Sequence, residues 1–130
     1  MSEEALAAVR RVFEAFRDRD AAALHAAIAE DAVWTVPGDV PVSRAYRGIG
    51  EIMELFRETQ RLTGGTYRSE LRWALAEPGR AVAVYRARGS RLGRELDIDQ
   101  VLLIELRDGL WSEIVAVPTD PTAFLHFWSE

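Results

Sequence analysis

At Thr66 the hydrophobic period of this chain changes, and the change dictates two layers of different secondary structure. Before it, apolar residues recur at helical spacing. Leu6, Val9, Phe13 and Phe16, with Val12 widening the stripe, predict an amphipathic helix over 3–18. Ser2 stands where a cap is needed, and Glu3 and Glu4 suit the positive end of the helix dipole. Asp20 caps a second, short helix over 21–30, with Leu24, Ala27 and Ile28 facing inward. A strand is expected over 32–36, then an irregular loop over 37–47. Gly48 and Gly50 open a third helix that buries Ile49, Ile52, Met53 and Phe56 and ends at Gly64-Gly65.

After Thr66 apolar and polar residues alternate, as strands with one buried face require. Strands are expected over 66–76, 80–88, 94–106 and 110–117, separated by the turns EPGR, GSRLG and RDG. Connections this short allow no crossover, so the predicted sheet is an antiparallel meander. Helices ahead of such a sheet predict a single α+β domain over 1–130, with a cone-shaped, curved antiparallel sheet wrapped around the N-terminal helices. The tail PTDPTAFLHFWSE carries Phe124, Phe127 and Trp128 and is expected to fold back onto the body.

Composition narrows the function. The net charge of −5 on 130 residues disfavours nucleic acid and anionic membrane as partners, because both select basic surfaces. With no cysteine, thiolate metal sites and disulfides are excluded. His25 and His126 have no companion ligands nearby in sequence, so neither a metal nor a cofactor is expected. The N-terminal segment is acidic without an apolar run, which points to a cytoplasmic protein.

Four segments, FEAFRDRDAAALHAAIAEDAVWTVPG (13–38), YRGIGEIMELF (46–56), TGGTYRSEL (63–71) and LRDGLWSEI (106–114), resemble in order and spacing the SnoaL-like branch of the nuclear transport factor 2-like superfamily. That branch is related to polyketide cyclases and ketosteroid isomerase. The resemblance implies a cystatin-like α+β barrel with a deep apolar pocket, usually in a homodimer. It implies no particular reaction, since this fold hosts enzymes and binders alike. Ketosteroid isomerase uses an aspartate base with an oxyanion hole of a tyrosine and a protonated aspartate. Position by position, the base falls at Val36, the tyrosine at Val12, and the protonated aspartate at Gln100 with one residue of slack. The acid of the last strand of SnoaL-type cyclases falls near Ala116. Neither apparatus is intact.

Strand parity sorts the remaining candidates. In LDIDQVLLIEL, Gln100 shares a face with Leu96, Ile98, Leu102, Ile104 and Leu106, so it is the polar residue on the apolar side. It is either a core amide satisfied by backbone or the anchor for a ligand. Asp97 and Asp99 fall on the outer face, where Arg86 and Arg88 are their expected partners, and Glu113 shares that face. Tyr85 sits among Ala81, Ala83 and Ala87, which leaves room beside its hydroxyl. Tyr67 shares a face with Leu71, Trp73 and Leu75 by simple alternation. Trp34, Val36, Phe56, Ile114 and Ala116 complete an apolar lining, with Tyr46 at the rim. If a base has moved, Asp39 beside the vacated position is the candidate, against the plain reading of a solvated turn aspartate. By the same alternation Val101, Leu103, Trp111, Val115 and Val117 line the outer face, too apolar to meet water in a small monomer.

The expected function is therefore a SnoaL-like enzyme of isomerase, cyclase or lyase type. It would move a proton next to a carbonyl on a hydrophobic, polycyclic or terpenoid-sized substrate, with Gln100, Tyr85 and Asp39 as its polar groups. The alternative is a non-catalytic binder of a hydrophobic small molecule in the same pocket.

Overall fold

A computed structural model describes residues 2–130. Helix α1 (Glu3–Arg17) begins where the sequence caps it, with the Ser2 hydroxyl accepting from the Ala5 N–H, and Asp20 does the same for α2 (Ala21–Ala27). Helix α3 (Gly48–Leu62) follows, and α4 (Pro121–Trp128) closes the chain, capped by Asp120 with proline in its first turn. Six strands accompany them: β1 (Ile28–Val36), β2 (Arg44–Arg47), β3 (Arg68–Glu77), β4 (Arg80–Arg91), β5 (Arg94–Arg107) and β6 (Leu110–Pro118).

The sheet differs from the expected one in two respects. Its strand order is β2-β1-β6-β5-β4-β3, and β1 runs parallel to β6, so the sheet is mixed. Its edge strands β2 and β3 do not pair with each other, so it is open and forms no closed, cone-shaped barrel. The α+β class stands, but the antiparallel barrel does not. The meander β3–β6 is local and visible in alternation. The parallel pairing of β1 with β6 joins residues some eighty positions apart, about which alternation says nothing. The segment 37–47 is also less irregular than expected, because Arg44–Arg47 turn back to pair with Val33–Val36.

Two irregularities in strand pairing decide which side chains enter the core. Between Glu105 and Leu106 the β5·β6 register shifts, with Ser112 as the extra residue, so Trp111 pairs with Leu106 and turns inward. Trp111 is completely buried, which corrects its expected place on the outer face. At Arg72 the β3·β4 register shifts likewise. Tyr67 and Leu71 stay on the inner side, while Trp73 and Leu75 move out to 51% and 59% exposure.

The inner face carries a row running Ala76, Ala81, Ile104, Ile114, Trp34 and Tyr46 across all six strands. Helix α1 packs on this face over β3, β4 and β6, and α3 packs over β1. The outer face carries two apolar rows across four strands: Trp73, Val84, Val101, Val117, and Leu75, Val82, Leu103, Val115. Beside them lie the ion pairs Arg86–Asp97 and Arg72–Asp99, while Arg88 stands 3.7 Å from Glu70 instead of pairing with an aspartate. These are exposed pairs of small energetic weight.

The tail folds back as expected. Phe124, Phe127 and Trp128 are buried, and two arginines of the β4–β5 hairpin hold the end of α4. Arg91 donates to the carbonyls of Phe127 (3.2 Å) and Ser129 (2.6 Å), and Arg94 to those of His126 (3.0 Å) and Ser129 (2.9 Å). Carbonyls at a helix C-terminus lack internal partners and carry partial negative charge, so guanidinium donors suit them. No described helix is long and apolar enough to cross a membrane.

Candidate functional site

Between α1, α3 and the inner face of the sheet lies a cavity of about 80 Å³. Seven of its lining side chains are aromatic, and they form a ring of contacts. Tyr85 leans on Phe13 (5.4 Å between centroids), Phe13 on Trp111 (6.0 Å), and Trp111 stacks on Trp34 (5.8 Å, 26°). Trp34 then meets Phe56 (5.2 Å), Phe56 meets Phe16 (5.3 Å), and Phe16 meets Tyr67 (6.1 Å). Most of these pairs are tilted or edge-on, the arrangement that the ring quadrupoles favour. Val12, Leu55, Thr59, Ser69 and Leu102 fill the gaps.

One polar cluster interrupts the apolar wall. Gln100 and Tyr85 are direct cross-strand partners on β5 and β4, and the Gln100 Nε2 donates to the Tyr85 hydroxyl at 3.0 Å. Gln100 is only 4% exposed, and its Oε1 has no protein partner. An acceptor left bare in a buried site costs on the order of 1–3 kcal/mol, which a ligand donor or an ordered water would relieve. The Tyr67 hydroxyl is the third member. Burial raises its pKa, and the neighbouring Tyr85 and Gln100 pull the other way. Burial drives the Tyr85 phenol well above its ordinary range, Tyr67 adds to the rise, and Gln100 opposes it. Both phenols are therefore neutral donors at physiological pH, and neither is a base.

The expected residues separate into two groups. Trp34, Phe56, Tyr67 and Tyr85 line the cavity, and Gln100 reaches it through Tyr85. Val36, Ile114 and Ala116 are buried in the inner layer without lining it. Tyr46 is buried, but its hydroxyl donates to the Val42 carbonyl (2.8 Å) and the Arg44 guanidinium lies over its ring (4.0 Å). Asp39 is exposed in the turn after β1, away from the lining. His25 and His126 are exposed. Among the described residues no cluster of three His, Cys, Asp or Glu could hold a metal.

Several lining residues escaped the sequence reading. Phe13 and Phe16 were legible as a buried stripe but not as a cavity wall, since periodicity does not say which buried residues touch a void. Trp111 was hidden by the extra residue at Ser112. Thr59 and Ser69 carried no signal at all.

Comparison with known proteins fits this architecture. The model of the SnoaL-like domain matches residues 9–114. The chain belongs to the SnoaL-like family. Within the wider nuclear transport factor 2-like superfamily, this SnoaL-like protein is similar to the uncharacterized protein Rv0034 of Mycobacterium tuberculosis. The two are 32% identical over 122 residues, 93% of either chain. Among solved structures it is similar to Bal32a from a soil-derived mobile gene cassette, with a TM-score of 0.93 at 28% identity over 97% of both chains. It also shares the fold of TerC, which was co-crystallized with polyporic acid. There the TM-score is 0.84 at 22% identity, over 96% of this chain and 98% of that one.

Tyr67 and Tyr85, the two phenols of the cluster, both have pKa values raised by burial, which gives a direct test of the site's dryness. A folded-state pKa above the unfolded value contributes stability that is whole below pH about 10 and is lost as pH rises through the raised values. Near-ultraviolet titration of Tyr46→Phe protein, which leaves only these two phenols, should show no phenolate near pH 10, and phenolate should then emerge together with unfolding. A tyrosine that ionises in its ordinary range while the fold persists would contradict the buried cluster.

Proposed function

We propose that this SnoaL-like protein binds a small, ring-sized hydrophobic molecule bearing one hydrogen-bond donor, with Gln100 as the anchor. The observation that carries this reading is the buried, unpartnered Oε1 of Gln100, whose Nε2 donates to Tyr85 in the wall of the aromatic cage. A single polar anchor in an apolar cavity is the common form of small-molecule sites. The similarity in fold to TerC, crystallized with a small organic molecule, is in keeping with it.

Two observations favour binding over proton transfer on a polycyclic or terpenoid-sized substrate. The lining contains no carboxylate and no imidazole among the described residues, so nothing in it is suited to take a proton from carbon. The cavity, at about 80 Å³, is also far below the ~300 Å³ at which drug-sized ligand pockets begin, and smaller than the ~150 Å³ apolar cavity that admits benzene. A single ring is the largest body it suits, and would enter only as the lining side chains move apart.

Phenol is the simplest probe, because its hydroxyl can donate to Oε1 while its ring enters the cage. Gln100→Leu keeps the approximate volume and removes the acceptor. Phenol affinity, followed by quenching of Trp34 and Trp111 fluorescence, should fall by about 1–3 kcal/mol with the melting temperature unchanged or raised. A lower melting temperature with unchanged affinity would assign the amide to the core alone.

We further propose that the protein pairs with a second copy through the outer face. Trp73, Leu75, Leu103 and Val117 are 51%, 59%, 47% and 40% exposed there, within two unbroken apolar rows. Isolated exposed apolar residues need no explanation, but contiguous rows of them do. Light scattering should give twice the chain mass at micromolar concentration, and Leu103→Glu should give one. A wild-type monomer would overturn the proposal.

A further inference from the structure

The aromatic cavity has a neighbour with which it shares three lining residues. Phe16, Tyr67 and Ser69 line it on one side and, on the other, line a second hollow of about 110 Å³ between the end of α1 and the start of β3. The remaining walls of that hollow are Arg17, Arg19, Arg68 and Gln60. No carboxylate lines it, although the chain as a whole has a net charge of −5. Acidic residues outnumber arginines overall, so a hollow walled by three guanidiniums departs from the general surface.

The arginines are arranged unequally. Arg17 is paired with Asp18 at 2.9 Å. Arg19 donates to the Gly65 carbonyl (3.2 Å), and Arg68 donates to the carbonyls of Gly65 and Tyr67 (2.8 Å each). Among the described residues neither Arg19 nor Arg68 has a carboxylate partner within ion-pair distance, yet the backbone of the Gly64–Tyr67 turn holds both. A guanidinium positioned by carbonyls retains N–H groups, and its charge, for a ligand. Gln60 donates its Nε2 to the Tyr67 carbonyl (3.1 Å) and leaves a buried Oε1, so an anion would sit towards the guanidiniums and away from this acceptor.

Tyr67 belongs to both spaces. Its backbone carbonyl belongs to the hollow, where Arg68 and Gln60 bond it, and its hydroxyl belongs to the cluster with Tyr85 and Gln100. A ligand lying alongside this side chain would span about the length of a tyrosine between its two polar groups. A benzene ring with a hydroxyl and a carboxylate in para positions has that length.

Building on the binding proposal, we infer that the ligand class is a small aromatic acid with a hydrogen-bond donor opposite its anionic group. The ring occupies the aromatic cage, the donor meets the Oε1 of Gln100, and the anion rests on Arg19 and Arg68. Charge-assisted hydrogen bonds to a carboxylate at this mouth would select the acid over its neutral analogue, most strongly at low salt.

The test titrates phenol and 4-hydroxybenzoate into wild type and into Arg19→Gln, Arg68→Gln and, as a control of equal charge, Arg80→Gln. Arg80 is exposed at the far end of β4 and lines neither space. Tryptophan quenching should show 4-hydroxybenzoate binding wild type about tenfold or more tightly than phenol. That preference should shrink in either hollow variant, persist in the control, and weaken with added salt. Phenol affinity should be the same in all four proteins. Phenol binding without preference for the acid, or a preference that survives both hollow variants, overturns the arginine assignment and leaves the cavity reading standing. Binding of neither probe overturns the cavity reading and this inference with it.

Discussion

Trp111 is the side chain on which the site depends. Its ring stacks on Trp34 and meets the edge of Phe13, and its indole N–H donates to the Ala8 carbonyl of α1 at 3.0 Å. It thus ties the first helix to the middle of the sheet and supplies one wall of the cage. It reaches this place only because Ser112 is extra in the β5·β6 pairing, with its hydroxyl donating to the Glu105 carbonyl at 3.0 Å. Without the extra residue, alternation would put the indole on the outer face. The aromatic ring of the site would then be open between Phe13 and Trp34. A local backbone irregularity, worth little by itself, decides whether the cavity has a wall.

The same reasoning shows what was legible in the sequence. Helix caps, glycine turns and the alternation of β3 to β6 are local signals, and the elements they define are present within a few residues. Gln100 was identified by parity alone, because no irregularity lies between it and its apolar neighbours in β5. Trp73, Leu75 and Trp111 were misplaced because one extra residue reverses every later side chain on a strand, and an extra residue has no signature of its own here. The parallel β1·β6 pairing was not legible either, and with it went the true form of the sheet, open and mixed. Pairings distant in sequence are chosen by the packing of the whole chain.

The site itself shows a division of labour. Its apolar part is built from both layers, with Phe13 and Phe16 from α1, Phe56 from α3, and Trp34, Tyr67, Tyr85 and Trp111 from the sheet. Its polar part comes almost wholly from neighbouring strands, where Gln100 and Tyr85 are held opposite one another by the β4·β5 register. Strands fix such a pair more firmly than loops would, which suits an anchor. On the resemblance to ketosteroid isomerase the base falls at Val36, the oxyanion tyrosine at Val12 and the protonated aspartate at Gln100.

The binding proposal rests on direct contact between Gln100 and the ligand. The most direct measurement is the nuclear magnetic resonance signal of its side-chain amide, assigned by its loss in Gln100→Leu, during a titration with phenol. With direct contact, this amide shifts in saturable fashion along with the indole signals of Trp34 and Trp111. A stationary Gln100 amide, with shifts confined to exposed residues such as Trp73, would contradict it.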